Sequence, residues 1–268
     1  MFILFLKIDF HVRISKNMKK IFGLIGYPLR HTLSKYIHEN LFYINNIDGK
    51  YRINEIRPSD LSKEINNLKK YDGFNVTLPY KVEIIDYLDE IDEEAEKCGS
   101  VNVVVNKRGK LIGYNTDIFG FEKSLIFHEI SSFSNVCILG FGGVGRTIAY
   151  YFLKNKISVT VAVKDYSNEK IDKIKKFNKD IIVRDINNIE GKYELLINAT
   201  PVGMYPKIDE IAISGEILKN VDIVYDLIYN PAVTKLMKEG MARGCRVFNG
   251  ENMLMWQAIK AQKIWLQG

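Results

Sequence analysis

Residues 75–81 bring an amine together with amide and hydroxyl side chains, which are the groups needed to move a proton on a small polar substrate. The segment reads NVTLPYK, and its proline ends a β-rich run. The lysine amine can carry a proton when burial and neighbouring groups bring its pKa toward the working pH. Two polar segments follow, GSVN at 99–102 and GYNTD at 113–117. We interpret the three segments together as a candidate catalytic site, because each alone is typical of an ordinary turn.

A glycine-rich segment at residues 140–145 is a candidate dinucleotide site. It reads GFGGVG and fits G-x-G-x-x-G, with an apolar strand predicted before it and a helix after it. Glycines let the backbone approach a pyrophosphate closely, and the free N–H groups of a helix N-terminus attract its charge. The segment therefore predicts a dinucleotide site rather than a plain turn.

The end of the next strand bears on which dinucleotide is bound. Lys164 and Asp165 stand side by side where such folds meet the adenosine ribose. An acidic residue there favours the 2′-hydroxyl of NAD, and a basic one favours the 2′-phosphate of NADP. The two residues give opposite indications, so the residues alone leave both cofactors open.

Two series of strands and helices must position these segments. In the first series we predict strands at 21–25, 50–56 and 73–78, and a hairpin of 101–106 with 110–114. Helical patterns cover 33–45, 59–70 with Ser59 as N-cap, 82–88 and 92–98. This alternation indicates an α/β layer.

The second series begins near residue 135 and has the regular β-α repeat of a parallel sheet. Predicted strands cover 136–139, 158–163, 181–183, 195–198, 221–225 and 246–248. Predicted helices cover 145–154, 169–177, 233–243 and 252–266. Repeats of this length predict a Rossmann-type domain.

Composition excludes several classes of protein. The 268 residues suffice for one large or two small domains, and 47% hydrophobic residues argue against a disordered chain. A net charge of +6 does not demand nucleic acid, and the basic residues form no stripe interleaved with aromatic platforms. Three scattered cysteines and four histidines show no disulfide or metal-ligand spacing, so we expect buried thiols, a cytoplasmic protein and no metal site.

The first residues form an apolar start, MFILFL, followed at once by charged residues. The run is too short for a membrane span, and it lacks the basic residues before it and the cleavage site after it that a signal peptide has. We expect residues 1–17 to be an upstream extension before a start at Met18, which N-terminal mass spectrometry of the natural product would test. We expect no membrane partner.

Taken in order over residues 21–268, these segments resemble the shikimate dehydrogenase family, which also includes quinate/shikimate dehydrogenases. Besides the segments above, the resemblance extends to GYPLRHTLS at 26–34, NATPVGM at 198–204, YDLIYNP at 225–231 and NGENMLMWQ at 249–257. Several matches in one order are far more specific than any single motif.

The resemblance implies reversible, NADP-dependent reduction of 3-dehydroshikimate to shikimate in aromatic amino-acid biosynthesis. It implies a substrate-binding α/β domain of residues 19–118 plus 250–268, with the C-terminal helix returning to it, and an NADP-binding Rossmann-type domain of residues 119–249. We expect the enzyme to bind a small-molecule substrate, and we expect it to be a monomer or a homodimer. Lys81 and Asp117 would be catalytic, with Lys81 either transferring a proton or stabilising charge in the transition state.

The resemblance also assigns binding residues. Thr32 and Ser34 would bind the substrate carboxylate through their hydroxyls, and Tyr229 would lie beside them. The ring hydroxyls would be held by Asn75, Thr77, Asn102 and Gln257, while Lys81 and Asp117 bracket the reacting hydroxyl. The cofactor would be bound by Gly140, Gly142, Gly143, Val144, Gly145, Lys164, Asp165, Thr200, Met204, Leu227 and Gly250.

Some residues depart from the family pattern and keep two alternatives open. Thr32 replaces a serine, and residues 163–165 (VKD) replace the N-R-T signature that binds the 2′-phosphate. An NAD-dependent quinate/shikimate dehydrogenase is the first alternative. A non-catalytic paralogue that senses a metabolite is the second, although such a protein would be expected to lose Lys81 or Asp117, and both are present.

Overall fold

The computed structural model describes residues 19–29 and 32–267, which divide into two compact units. The first unit comprises the described residues up to Gly120 and the segment from Met255 onward, and the second is Phe121–Leu254. The predicted extension at residues 1–17 lies outside the described residues, and so does His31 of the GYPLRHTLS segment. Both units are α/β, which confirms the predicted fold class.

The first unit is built on a mixed six-stranded sheet of order β2-β1-β3-β5-β6-β4. Its strands are β1 (Lys20–Gly26), β2 (Gly49–Glu55), β3 (Gly73–Val76), β4 (Glu90–Ile91), β5 (Val103–Lys107) and β6 (Lys110–Tyr114). Strand β1 lies parallel to β2 and β3, whereas β5 is antiparallel to β3 and β6. The predicted hairpin is therefore confirmed, and it reverses direction within the sheet.

Alternating side chains of β1 face two hydrophobic cores. Phe22 and Leu24 pack on one face, while Ile25 packs on the other, as the period of two in a strand requires. The helices of this unit are α1 (Ser34–Ile44), α2 (Leu61–Leu68), α3 (Glu93–Cys98) and most of the C-terminal helix α8 (Glu251–Gln267). Helix α4 (Asp117–Phe127) begins here and continues into the second unit.

One local prediction in this unit is wrong. Ser59 does not cap α2, because residues Pro58–Asp60 form a separate 3-10 turn and α2 starts after Asp60, whose backbone is already helical. The helical pattern at 82–88 corresponds to a 3-10 helix, Glu83–Tyr87. Asp92 caps α3, accepting a hydrogen bond from the backbone N–H of Glu94 at 3.0 Å.

The second unit contains a fully parallel six-stranded sheet of order β12-β11-β10-β7-β8-β9. Its elements are β7 (Asn135–Leu139), α5 (Gly143–Lys154), β8 (Ser158–Val163), α6 (Asn168–Phe177), β9 (Ile182–Asp185), β10 (Tyr193–Asn198), β11 (Val221–Asp226), α7 (Lys235–Met241) and β12 (Arg246–Phe248). The strand order reverses between β7 and β10, and open α/β sheets bind ligands at such a point.

Cores on both faces explain why β7 and β8 are nearly continuous apolar runs. One face carries Ile138 and Val161, and the opposite face carries Cys137 and Ala162. Strands covered on both sides need apolar residues at every position, unlike the alternating strands of a one-sided sheet. Over the ranges described, no helix has both the length and the apolar character needed to cross a membrane.

Candidate active site

A lysine–aspartate ion pair lies in the first unit. Lys81, in the turn that follows β3, places its Nζ 2.6 Å from Oδ2 of Asp117, the first residue of α4. Both side chains are largely buried, with 15% and 6% exposed respectively. The amide oxygen of Asn115 accepts hydrogen bonds from the backbone N–H groups of Asp117 and Ile118, which fixes the start of the helix. The backbone that carries Asp117 is therefore held in place by Asn115.

Asn102 joins three predicted motifs around this pair. Its Nδ2 lies 2.9 Å from Oδ1 of Asp117 and 3.4 Å from Oε1 of Gln257. Its Oδ1 accepts the backbone N–H of Thr116 at 2.7 Å, and its Nδ2 also lies 3.0 Å from the Thr116 hydroxyl. Segments from residues 81, 102, 117 and 257 thus meet at one place, and Thr116 is a positioning residue that sequence reasoning did not single out.

Asn75 extends the amide cluster along β3. Its Nδ2 donates to the backbone oxygen of Asn102 at 3.3 Å, and its Oδ1 accepts from the Tyr51 hydroxyl at 2.6 Å. Thr77 follows directly after β3 and is half-buried. Its backbone N–H donates to the backbone oxygen of Ile25 at 3.0 Å. Tyr51 was not predicted as a site residue, and only the alternation of β2 marked it as an inward-facing side chain.

A pair of hydroxyls stands at the start of α1. The Thr32 hydroxyl donates to Oγ of Ser34 at 3.0 Å and accepts the backbone N–H of Ser34 at 3.1 Å. Burial raises the pKa of Tyr51 well above its usual value, and the Ser34 side chain opposes this to a smaller extent, so Ser34 lies beside Tyr51. Tyr229, predicted for the same task, belongs to the second unit.

The second unit has a groove of ≈ 720 Å³ at the glycine-rich turn. Five of the predicted cofactor residues line it, namely Gly140, Gly142, Lys164, Asp165 and Thr200. Sequence reasoning missed Lys170, Asn187 and Lys207, which reach the groove from α6 and from two loops. The remaining predicted residues, Gly143, Val144, Gly145, Met204, Leu227 and Gly250, are outside its lining.

The turn itself fits a dinucleotide pyrophosphate. Gly142 is the N-cap of α5 and supplies no side-chain cap, so the first N–H groups of the helix are left for a ligand. A Cβ on Gly142 would meet no atom within 4 Å, which shows open space beside the backbone. Gly140 has φ +91°, and a Cβ on Gly145 would stand 2.4 Å from the Gly140 oxygen. Glycine is therefore required here for conformation and for close packing.

A buried network supports the loop that follows β10. The Asn198 amide donates to Oδ1 of Asp226 at 3.0 Å, and its oxygen accepts from the Thr200 hydroxyl at 2.6 Å. Asp226 also accepts from the Thr234 hydroxyl at 2.6 Å and from the backbone N–H of Ile228 at 3.1 Å. Complete burial raises the pKa of Asp226 to about 6, and these three hydrogen bonds oppose the rise.

The raised pKa of Asp226 predicts a pH dependence of stability. The pKa of Asp226 is higher in the folded state than in the unfolded state, so binding of the proton stabilises the native state. This stabilisation is complete below about pH 4 and is lost above about pH 6. We expect the free energy of unfolding to fall by up to about 3 kcal/mol across this window through Asp226. Urea unfolding at several pH values should show the slope in the wild type and its loss in Asp226→Asn.

Asp222→Asn is the matched control for this measurement. Asp222 lies on the same strand but is exposed, 3.7 Å from Lys192, so its replacement should leave the slope intact. Equal slopes in the wild type and in Asp226→Asn would contradict the prediction.

Comparison with known proteins gives one match within the first unit and others along nearly the whole chain. Residues 24–104 match the family model described as the shikimate dehydrogenase substrate binding domain. The chain is 39% identical over 253 residues to the shikimate dehydrogenase (NADP(+)) of Clostridium beijerinckii, covering 92% of each chain. It superposes with a TM-score of 0.86 and 37% identity on shikimate dehydrogenase 1 of Peptoclostridium difficile, with 92% of each covered.

A further solved structure is described as shikimate dehydrogenase in complex with NADP+. Its TM-score to this chain is 0.81 at 35% identity, with 92% of this chain and 90% of that one covered. These relatives are similar along almost their whole length, so the likeness is not confined to the Rossmann-type unit.

Proposed function

Because this chain belongs to the shikimate dehydrogenase family, we propose that it catalyses the reversible reduction of 3-dehydroshikimate to shikimate with NADP(H), a step of aromatic amino-acid biosynthesis. The observation that carries the proposal is the Lys81–Asp117 pair at 2.6 Å, set among amide side chains. An amine next to a carboxylate suits proton transfer, and amides suit the recognition of ring hydroxyls.

The first unit would bind the substrate. Thr32 and Ser34 would hold the carboxylate with their paired hydroxyls. Asn75, Thr77, Asn102 and Gln257 would hold the ring hydroxyls. Both catalytic candidates lie in the first unit, where the contacts of Asn102 connect them with Gln257.

Lys81 would handle the proton of the reacting hydroxyl. When the alcohol is oxidised, the neutral amine accepts the hydroxyl proton as the hydride leaves carbon, and on reduction the ammonium returns it to the carbonyl oxygen. Asp117 orients the amine through its 2.6 Å contact, and Asn102 orients Asp117. The alternative role for Lys81 is to stabilise negative charge on that oxygen as a fixed cation.

The second unit would hold NADP at its groove. The turn at Gly140 and Gly142 and the N-terminus of α5 suit the pyrophosphate, and Lys164 and Lys170 suit the 2′-phosphate. Thr200 would line the remaining part of the site. The nicotinamide ring of the bound cofactor supplies or accepts the hydride.

Asp165 is the observation that favours the alternative, an NAD-dependent quinate/shikimate dehydrogenase. Its carboxylate lines the groove and accepts the backbone N–H of Ser167 at 3.2 Å. The hydrogen bonds from Ser167 lower the pKa of Asp165, so it is ionised at neutral pH. A negative charge there repels a 2′-phosphate, whereas Lys164 and Lys170 attract it.

We therefore expect Asp165→Asn to shift cofactor preference toward NADP. The amide oxygen can still accept from Ser167, so the local turn survives while the charge is removed. The ratio of kcat/KM with NADP to kcat/KM with NAD should rise about 5- to 10-fold. Asp172→Asn, an equal change of charge on α6, should leave the ratio unchanged. A ratio unaffected by the first change would show that Asp165 does not face the 2′ position.

The proposal is tested by initial rates with shikimate and quinate, each with NADP and with NAD, followed by the absorbance of the reduced nicotinamide. Turnover of shikimate with NADP supports it. Preference for NAD or for quinate favours the alternative, and folded protein that is inactive in all four mixtures favours the non-catalytic paralogue.

We also propose a cytoplasmic monomer or homodimer. All three cysteines, Cys98, Cys137 and Cys245, are buried thiols, as is usual for proteins of a reducing compartment. Light scattering after size-exclusion chromatography measures the oligomeric state directly.

A further inference from the structure

Tyr51 reaches the proposed substrate site from a neighbouring strand. Strand β1 separates β2 from β3, and in the two ladders Phe22 pairs with Tyr51 while Leu24 pairs with Asn75. The Tyr51 side chain crosses β1 and brings its hydroxyl 2.6 Å from Oδ1 of Asn75. With 2% and 5% exposed, the two residues make this contact away from bulk water.

The surroundings of Asn75 determine which way its amide points. The backbone oxygen of Asn102 only accepts hydrogen bonds, so the amide nitrogen must face it, at 3.3 Å. The amide oxygen then faces Tyr51, whose hydroxyl must donate. The other N–H of the Asn75 amide has no protein acceptor among the residues described.

Aromatic packing holds Tyr51 in this position. The His38 ring stacks on it with centroids 4.5 Å apart and planes 7° apart, and Trp265 of α8 packs against both rings. Gln262 donates to the His38 backbone oxygen at 3.0 Å. Burial lowers the pKa of His38 to about 3, against a smaller opposing effect of the Asn75 side chain, so the ring is neutral. The phenol of Tyr51 likewise stays protonated, since burial raises its pKa.

We propose that Tyr51 is a positioning residue that holds the Asn75 amide with its N–H toward the substrate, and that it thereby selects a substrate hydroxyl able to accept that hydrogen bond. The inference rests on the proposed function. It goes beyond the assignment of Asn75 as a binding residue, because it explains why an amide, which can present either end, would present the donor here. Without the Tyr51 hydroxyl, the amide oxygen loses its 2.6 Å hydrogen bond, and the weaker interaction with His38 is left to oppose rotation of the amide.

A double-mutant cycle tests the proposal in the full chain. Tyr51→Phe keeps the stacked ring and should raise KM for shikimate about 10-fold, with KM for NADP unchanged. If Tyr51 acts through Asn75, the same change should have no further effect in an Asn75→Ala background. Additive effects of the two changes on KM would overturn the proposal.

Tyr71→Phe is the matched control. Tyr71 also donates to an asparagine, Asn54, at 2.8 Å in the same unit, but this pair is outside the site. It should change stability to a similar extent and leave KM for shikimate unchanged. An equal rise in KM in both variants would reduce Tyr51 to a structural role.

Proton NMR of the free wild-type chain gives a readout that needs neither turnover nor a folded variant. We expect a slowly exchanging Tyr51 hydroxyl proton with a nuclear Overhauser effect to the Asn75 side chain. A hydroxyl proton that exchanges with water as fast as that of an exposed tyrosine overturns the proposal. Wild-type protein that shows this contact but turns over no shikimate overturns the proposed function and the selectivity, while the positioning of the amide stands.

Discussion

Replacement of Lys81 by alanine is expected to lower kcat for shikimate oxidation by about 10³-fold while the protein stays folded. The proposal assigns the proton of the reacting hydroxyl to the Lys81 amine, and loss of the amine removes that path. Asp117 keeps its hydrogen bond from Asn102 at 2.9 Å, so its buried carboxylate is not left without a donor. We expect the free energy of unfolding to fall by roughly 1–3 kcal/mol, which is well below the total stability of a typical domain.

Lys81→Arg separates the two roles of the lysine. Arginine keeps the positive charge but does not deprotonate in proteins, so it cannot act as a general base. If Lys81 transfers the proton, the arginine variant should be as slow as the alanine variant. If Lys81 stabilises charge, the arginine variant should recover part of the loss.

Steady-state rates and thermal unfolding of both variants provide the measurement, with Lys97→Ala as control. Lys97 forms an ion pair of similar length, 2.5 Å to Glu93, on the exposed surface of α3, and its loss should leave kcat unchanged. A Lys81→Ala enzyme that retains more than about a tenth of the wild-type kcat would remove Lys81 from the mechanism.

Gly145→Ala is expected to have the second-largest effect, on the cofactor. The added methyl group would lie 2.4 Å from the backbone oxygen of Gly140, far closer than van der Waals contact, so the turn must move. Movement of Gly140 displaces the lining of the groove. We expect KM for NADP to rise about 100-fold and stability to fall by roughly 1–3 kcal/mol.

Gly142→Ala provides the comparison that separates folding from binding. A Cβ at this position meets nothing within 4 Å, so we expect stability to change by less than about 0.5 kcal/mol. The methyl group would still occupy space beside the groove and weaken NADP binding. Calorimetric titration with NADP and with shikimate should show a loss for the cofactor alone in both variants. Unchanged affinity for NADP in Gly145→Ala would argue against a pyrophosphate at this turn.

Local sequence signals predicted the elements that depend on local physics. The hairpin is an example, because Arg108 and Gly109 adopt φ of 55° and 91° and so close a tight turn wherever the strands lie. The apolar runs of β7 and β8 likewise predict buried strands. Strand β4, with two residues, has no signal of its own and exists only because it pairs with β6.

The candidate site was predictable where a motif carries its own chemistry and not where contacts join distant segments. Lys81 and Asp117 stand out by type, although 36 positions separate them. Nothing near Tyr51 marks it as a partner of Asn75, since their contact depends on the order of three strands. Lys170 lines the groove from the first turn of α6, and periodicity shows its face of the helix but not what that face meets.

The first unit is discontinuous in sequence, which matters for how the chain is made. The ribosome synthesises Phe121–Leu254 before the part of α8 that supplies Gln257, Gln262 and Trp265 to the first unit. The second unit can therefore fold during synthesis, as a continuous segment does. The first unit must wait, with the apolar faces of β1 and β2 lacking Trp265 until α8 has been synthesised. A nascent chain is thus expected to bind nucleotide before it can recognise a substrate.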